Sequence, residues 1–321
     1  MSESMEHPFA PFVRILGKGQ KGSRGLTEAE AYQAMGMLLD GEVEDTQLGA
    51  FLMLLRFKEE TPEELAGFTR AVRERVTAPA IAVDIDWPAY AGKRRQLPWF
   101  MLAAKALANN GVRILMHGGG RHTAGRMYAE DVLEALDIHC CASWDQVAEH
   151  IASDNIAFIP LAVWMPRLQR MIDLRNTLGL RSPVHSLARL LNPLAARCGL
   201  QSIFHPGYQL VHQQANAILG DHALVIKGDG GEIEVRPEVT DQLLGATDGQ
   251  AWSEEWPAQI GRQVKAPTLE IERLMAVWQG SEQDLYGENA ILATMALALR
   301  GLGRDRDAAF SEAAKMWANR H

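Results

Sequence analysis

The sequence predicts an α/β protein: a small helical N-terminal domain followed by a larger α/β domain with a mostly parallel sheet. Three observations predict it. The 321 residues suffice for about two domains at roughly 100–200 residues each. The first 78 residues carry helical spacing and helix caps. From residue 81 onward, short apolar runs alternate with helical stretches, the signature of βα units around a parallel sheet. Ala78-Pro79-Ala80 reads as the linker, so the expected domains are 1–78 and 79–321.

The elements follow in order. Thr27-x-x-Glu30 is a capping box ahead of AYQAMGMLL, and Gly41 follows as a stop. Leu48, Phe51, Leu52 and Leu55 recur at helical spacing between about Asp45 and Lys58. Thr61-Pro62-Glu63-Glu64 starts a third helix, with Pro in the first turn and acids at the positive helix end, running to about Val76. Beyond the linker, AVDID is strand-like, and VRILM (112–116), IAFIP (156–160), SIF (202–204) and ALVIK (223–227) read as buried strands. Helices are expected at 98–109, 128–136, 166–178, 184–197 and 208–219. Residues 240–265 read as irregular, and a helical pair at about 284–300 and 307–318 closes the chain.

Composition narrows the class. Hydrophobic residues make up 47% and charged residues 22%, which excludes a disordered chain. Three cysteines, two of them adjacent (Cys140, Cys141), cannot form a disulfide framework. The opening MSESMEHPFAPF has neither the basic nor the apolar region of a secretory leader. The longest apolar runs fall short of the ~20 residues that span a bilayer. A cytoplasmic protein with no membrane partner is expected.

The net charge of −8 hides a segregation of signs. Residues 221–321 hold 17 acids and 10 bases; the rest is nearly neutral. No acid occurs from His7 to Thr27, around Arg14, Lys18, Lys21 and Arg24. None occurs from Trp87 to Ala129, which holds Lys93, Arg94, Arg95, Lys105, Arg113, Arg121 and Arg126. From Asn155 to Gly220 the only acid is Asp173, against six arginines that include Arg175, Arg181 and Arg189. Buried segments also exclude acids, but they do not retain cations. A basic surface for a phosphate-bearing molecule is therefore expected.

Three glycine-rich stretches could meet that molecule. His117-Gly118-Gly119-Gly120 follows a strand and is flanked by Arg121 and Arg126, so its amides could cradle a phosphate; a turn needing positive φ fits equally. Tyr90-Ala91-Gly92-Lys93-Arg94-Arg95 suits phosphate contact and base stacking, or a solvated basic turn. Gly17-Lys18-Gly19-Gln20-Lys21-Gly22-Ser23-Arg24-Gly25 lacks the order of a P-loop and reads as a cationic loop or a plain tether. HGGG also occurs in lipase oxyanion loops, but the absence of G-x-S-x-G argues against an α/β-hydrolase. Metal ligation is poorly supported: His139-Cys140-Cys141 is too compact, and Asp229-Gly230-Gly231-Glu232-x-Glu234, the one acidic loop after a strand, also reads as a β-turn.

The order of helical domain, strand, HGGG loop and AEDVLEALDI resembles anthranilate phosphoribosyltransferase and its relatives in glycosyltransferase family 3. LRNTLGLRSPVHSLARLLNP (174–193) and IFHPGYQLVHQQANAILGDHALVIKGDGGE (203–232) carry the same resemblance onward. It implies the nucleoside phosphorylase/phosphoribosyltransferase-like fold and a homodimer formed through the helical domain. Arg181, and with it Arg175, stands where that family holds the anthranilate carboxylate. Several family motifs have changed. Tyr90-Ala91-Gly92-Lys93 stands at the diphosphate loop, Met116 and Gly119 replace the Lys and Asn around His117-Gly118, and Leu97-Pro98-Trp99-Phe100 replaces an Asn-x-Ser-Thr. Of the Asp-Glu pair that holds Mg²⁺, Glu232 alone remains.

These departures resemble the YbiB-type branch, which implies sequence-independent binding of single- or double-stranded DNA or RNA along basic grooves, without a cofactor. The residues expected at the phosphates are Lys18, Lys21, Arg24, Lys93, Arg94, Arg95, His117, Gly118, Gly119, Gly120, Arg121, Arg126 and Arg181, with Tyr90 or Trp99 stacking on bases. The alternative is phosphoribosyl transfer from phosphoribosyl diphosphate over His117–Gly120, with Mg²⁺ on Glu232 and Asp229. Phosphorolysis of pyrimidine nucleosides shares the fold but needs a phosphate-binding Lys and Ser that the sequence does not place.

Overall fold

The computed structural model describes residues 6–19, 21–121, 123–263 and 268–321. Four helices come first: α1 Ala10–Gly17, α2 Glu28–Asp40, α3 Asp45–Lys58 and α4 Pro62–Arg73. Thr27 and Thr61 form the capping boxes their spacing predicts, with Glu30 and Glu64. Gly41 ends α2 in the left-handed region. The sequence reading passed over α1, which buries Phe12 and Leu16. At Gly67, α4 approaches α2 so closely that a Cβ would lie 2.3 Å from the Glu28 carbonyl oxygen.

The larger part carries β1 Ile85–Ala89, α5 Trp99–Asn109, β2 Ile114–Gly118, α6 Trp144–Asp154, β3 Ile156–Pro160, α7 Leu161–Trp164, α8 Pro166–Asp173, α9 Arg175–Leu178, α10 Val184–Leu187, β4 Cys198–Ser202, α11 Pro206–Leu219, β5 Ala223–Ile226, β6 Asp241–Thr247, β7 Gln250–Trp256, α12 Ile271–Gln279, α13 Leu285–Gly301 and α14 Arg306–Ala318. The sheet order is β3-β2-β1-β4-β5-β6-β7. The first five strands are parallel, and β6 and β7 run antiparallel at one edge. Strands β1 to β5 are almost wholly buried, as a parallel sheet covered on both faces requires. Pro88 sits in central strand β1 beyond the end of the pairing with β4, which stops at Asp86, so it removes no ladder bond to that strand.

One core packs α5, α13 and α14 on one sheet face. On the other, a second core joins the four N-terminal helices to Leu115, Ile159 and the α7–α10 region. No described helix is long and apolar enough to cross a membrane.

Several expectations are corrected. The stretch 128–136 forms two short 3-10 turns, Ala129–Asp131 and Glu134–Leu136, because the backbone leaves helical geometry at Val132. The helix expected at 184–197 stops at Leu187; Asn192 and Ala195 take positive φ around Pro193. Residues 240–256 are not irregular but contain the β6–β7 hairpin, closed by Asp248-Gly249 with positive φ at both; residues 264 and 265 lie outside the described residues. Helix α12 was not anticipated. Strand β2 also starts two residues late, so His117 and Gly118 belong to the strand and not to the loop after it. The strand expected at 202–204 lies earlier, at Cys198–Ser202, and the helix expected at 166–178 is broken into α8 and α9.

Candidate functional site: an arginine-lined cavity at the strand-order reversal

Strand order reverses between β1 and β4, so the loops leaving their C-terminal ends diverge and open a crevice. A cavity of about 260 Å³ lies there. Arg126, Arg181, Ser182, His185, Arg189, Ile203, Phe204, Tyr208, Gly230 and Gly231 line it, and Arg56 and Glu60 close it from the helical domain. Arg126 is fixed by donating to the carbonyls of Ala91 and Gly92, both at 2.9 Å. Arg175 and Arg181 both donate to the Thr123 hydroxyl, at 2.8 and 3.3 Å. Arg189 donates back to the His185 carbonyl of its own turn.

These guanidiniums crowd one another. Burial, then Arg126, Arg189 and Arg175, hold Arg181 down to about 10. Burial also lowers Arg189, against the pull of Glu232 and Tyr90. The Ser182 hydroxyl is buried on the wall without a hydrogen-bond partner. Glu60, pushed above the usual carboxylate range by burial, is the only carboxylate on the described lining. A concave, cation-rich cavity of this kind is chemically suited to an anion.

The glycine loop is already satisfied. The His117 ring is fully buried, with Nδ1 2.7 Å from the Tyr90 hydroxyl and Nε2 3.2 Å from Asp86. A Cβ on Gly118 would meet the Phe158 ring at 2.8 Å, and one on Gly119 the Tyr90 ring at 2.8 Å. These two glycines therefore serve close packing, while Gly120 takes φ +74°. The Gly120 amide donates to Glu130 at 3.3 Å, so a carboxylate of the chain sits where a phosphate was expected. Arg121 is exposed and paired with Asp131.

The acidic loop after β5 is likewise filled. The Lys93 ammonium, with no exposed surface, bonds Asp229 and, at 2.5 Å, Glu234. Glu232 accepts from the amides of Ala91 at 2.7 Å and Gly92 at 2.5 Å. Burial opposes the charge on Lys93, but Glu234 and Asp229 overcome it and raise its pKa. These carboxylates do not fit Mg²⁺: two are spent on an ammonium and one on backbone amides.

The residues expected at phosphates thus divide. Arg126 and Arg181 meet at the cavity. Lys93 is corrected: it lies in the interior, not in a groove. His117, Gly118 and Gly119 are packed inside, away from the surface. Tyr90 and Trp99 are core side chains with no face open to a base. Arg24 is exposed but paired with Glu30. Lys18, Lys21, Arg94 and Arg95 are exposed with no carboxylate partner among the described residues. Sequence reasoning missed Arg189, Ser182 and Arg56; the acid-free window 155–220 pointed to the first two.

Family models match two parts of the chain: "Glycosyl transferase family, helical bundle domain" over residues 11–76 and "Glycosyl transferase family, a/b domain" over 101–256. The anthranilate phosphoribosyltransferase of Novosphingobium aromaticivorans is 31% identical over 305 residues, covering 90% of this chain and 91% of that one. The chain belongs to the anthranilate phosphoribosyltransferase-like glycosyltransferases. It is also 28% identical to the Escherichia coli uncharacterized protein YbiB over 241 residues, covering 73% and 75% of the two chains. Among solved structures, the Thermus thermophilus anthranilate phosphoribosyltransferase superposes with a TM-score of 0.77 at 23% identity, covering 96% of this chain and 95% of that one. The Saccharomyces cerevisiae enzyme in complex with phosphoribosyl diphosphate and Mg superposes with a TM-score of 0.74 at 14% identity, covering 97% and 94%. This family's scaffold, helical bundle and α/β domain alike, is the one described above.

Proposed function

We propose that the arginine-lined cavity is the working site of this protein, and that it binds a phosphorylated pentose as a phosphoribosyltransferase does. The observation that carries this reading is the cluster of Arg126, Arg181 and Arg189 on one wall, with Arg181 held down to about 10 by burial and by its neighbours. In phosphoribosyl transfer the bond from the sugar C1 to the diphosphate oxygen breaks as the bond to the acceptor forms. The arginines would hold the departing negative charge. Glu60, buried on the same lining, would accept the acceptor's proton.

The test is turnover of phosphoribosyl diphosphate with anthranilate, followed by loss of anthranilate fluorescence, together with calorimetric binding of each compound. Binding of phosphoribosyl diphosphate that Arg181→Ala weakens by roughly 10- to 100-fold is expected, the equivalent of one charged hydrogen-bonding group. Binding that this substitution leaves unchanged would refute the site.

A second reading is supported by Lys18, Lys21, Arg94 and Arg95, exposed and without a carboxylate partner among the described residues: contact with a nucleic acid backbone, in a homodimer formed through the helical domain. Phe57, 85% exposed on α3, is the position at which that dimer face is tested. Titration of labelled single-stranded DNA should then show log K falling linearly with log salt, with a shallower slope in Arg94→Ala/Arg95→Ala. A flat salt response removes this reading. Light scattering of the Phe57→Asp variant tests the dimer, which should dissociate.

A further inference from the structure

The cavity arginine Arg189 stands on a segment that regular structure does not hold. Helix α10 ends at Leu187, and positive φ at Asn192 and Ala195 keeps the chain irregular on its way to β4. Leu190 and Leu191 follow Arg189 directly and are buried. Their carbonyls are met from the helical domain. Arg73, the last residue of α4, donates through Nε to the Leu191 carbonyl at 2.8 Å and through Nη2 to the Leu190 carbonyl at 2.9 Å. Among the described residues no other donor reaches either carbonyl. The same guanidinium holds Asp221 by both oxygens, at 2.8 and 2.6 Å. Asp221 follows the Gly220 cap of α11, the helix that brings Tyr208 to the cavity. A planar guanidinium can serve two carbonyls and a carboxylate at once, which an ammonium cannot. A buried carbonyl left without a donor is costly, so losing Arg73 would push residues 190 and 191 out of their present geometry.

We propose that Arg73 is a positioning residue for the cavity: from the helical domain it fixes residues 189–191, and with them the Arg189 guanidinium, so that anion affinity depends on an ion pair, Arg73–Asp221, that lies outside the cavity lining. The pair is largely buried, with side chains 24% and 17% exposed, so solvent and salt weaken it less than an open surface pair. The proposal rests on the reading of the cavity as an anion site and requires no particular reaction there.

The test is a double-mutant cycle, read by calorimetric titration of phosphoribosyl diphosphate into the purified full chain, with hydrogen exchange on the same variants. Arg189→Ala should weaken binding at least about tenfold, and Arg73→Ala at least about fivefold. Because Arg73 acts through Arg189, Arg73→Ala/Arg189→Ala should bind within about twofold of Arg189→Ala alone. Arg73→Lys keeps a charge for Asp221 but lacks the fork for two carbonyls; it should restore only part of the affinity, and it serves where Arg73→Ala does not fold. Arg70→Ala, one turn earlier on α4 and bonded to the Ile218 carbonyl at 3.2 Å, should leave affinity within about twofold of wild type. Amides of the peptide spanning 188–197 should exchange faster in Arg73→Ala and Arg73→Lys than in wild type. Folded Arg73 variants that bind as tightly as wild type would overturn the proposal, and so would losses that simply add in the double variant. If wild type binds no phosphoribosyl diphosphate, the reading of the cavity fails by itself; unchanged exchange over 188–197 in the Arg73 variants is the separate result that removes the positioning role.

Discussion

Arg181 gives the cavity a pH signature. Its pKa is lowered to about 10 by burial and by Arg126, Arg189 and Arg175, and a bound anion would push it back up. Anion affinity should therefore stay flat from pH 8 to 9 and fall as pH rises through about 10; Arg181→Lys should shift that fall to lower pH, which calorimetry at each pH would read. Glu130 gives a second test, of stability. Burial, together with Glu232 and Asp131, raises it to about 6 from an ordinary 4.5. A raised carboxyl contributes stability that is fully present below about pH 4.5 and lost as pH rises through 6. Glu130→Gln keeps an acceptor for the Gly120 amide and removes the charge. It should match wild type near pH 4.5 and exceed it by roughly 1 to 2 kcal/mol at pH 8, measured by denaturant unfolding. A gap independent of pH would contradict the assignment. Lys93→Met leaves the buried Glu234 carboxylate facing the half-buried Asp229 with no cation between them, and should cost about 3 kcal/mol in the same experiment.

Residue type told less than residue position. That Arg126 and Arg181 belong with other cations was legible because the sequence shows them in acid-free windows, and both line the cavity. Lys93 stands in the same kind of window and does the opposite work. Its partners Asp229 and Glu234 lie more than 130 residues away, a separation at which no local pattern signals contact. Glu130 and Gly120 are ten residues apart, but the helix expected between 128 and 136 would have pointed Glu130 elsewhere.

At the scale of elements, local signals were reliable where caps and periodicity agree. Helices α2 and α4 begin at their capping boxes, and α5, α11, α13 and α14 fall within two residues of expectation. The failures have local causes. The β6–β7 hairpin was announced by Asp248-Gly249, a strong turn signal, but the β7 strand is largely exposed and its polar residues masked the alternation. The 184–197 helix was an apolar run interrupted by Pro193. The close crossing of α2 and α4 at Gly67 yields a sharp test. Gly67→Ala places a methyl against backbone, not against a side chain that could move, so it should destabilise the helical domain by about 2 kcal/mol or more in thermal or denaturant unfolding. Gly49→Ala on neighbouring α3, where a Cβ meets open space, should be neutral or slightly stabilising and serves as the control.

At the scale of the whole molecule, the chain keeps the architecture of a phosphoribosyltransferase and fills two of its charged loops with its own side chains. Glu130 sits at the glycine loop, Lys93 sits in the acidic loop, and the surface cations Arg24, Arg121 and Arg170 are paired with Glu30, Asp131 and Asp45. What remains open and under-neutralised is the arginine cavity at the strand-order reversal. The account therefore predicts a site that takes an organic phosphate through arginines and without a metal. The most direct measurement is calorimetric titration of phosphoribosyl diphosphate into wild type and Arg181→Ala, each with excess EDTA and then with Mg²⁺. The account predicts wild-type binding of equal strength in EDTA and in Mg²⁺, weakened at least about tenfold by Arg181→Ala. Binding that appears only with Mg²⁺, or that survives the loss of Arg181 unchanged, would contradict it.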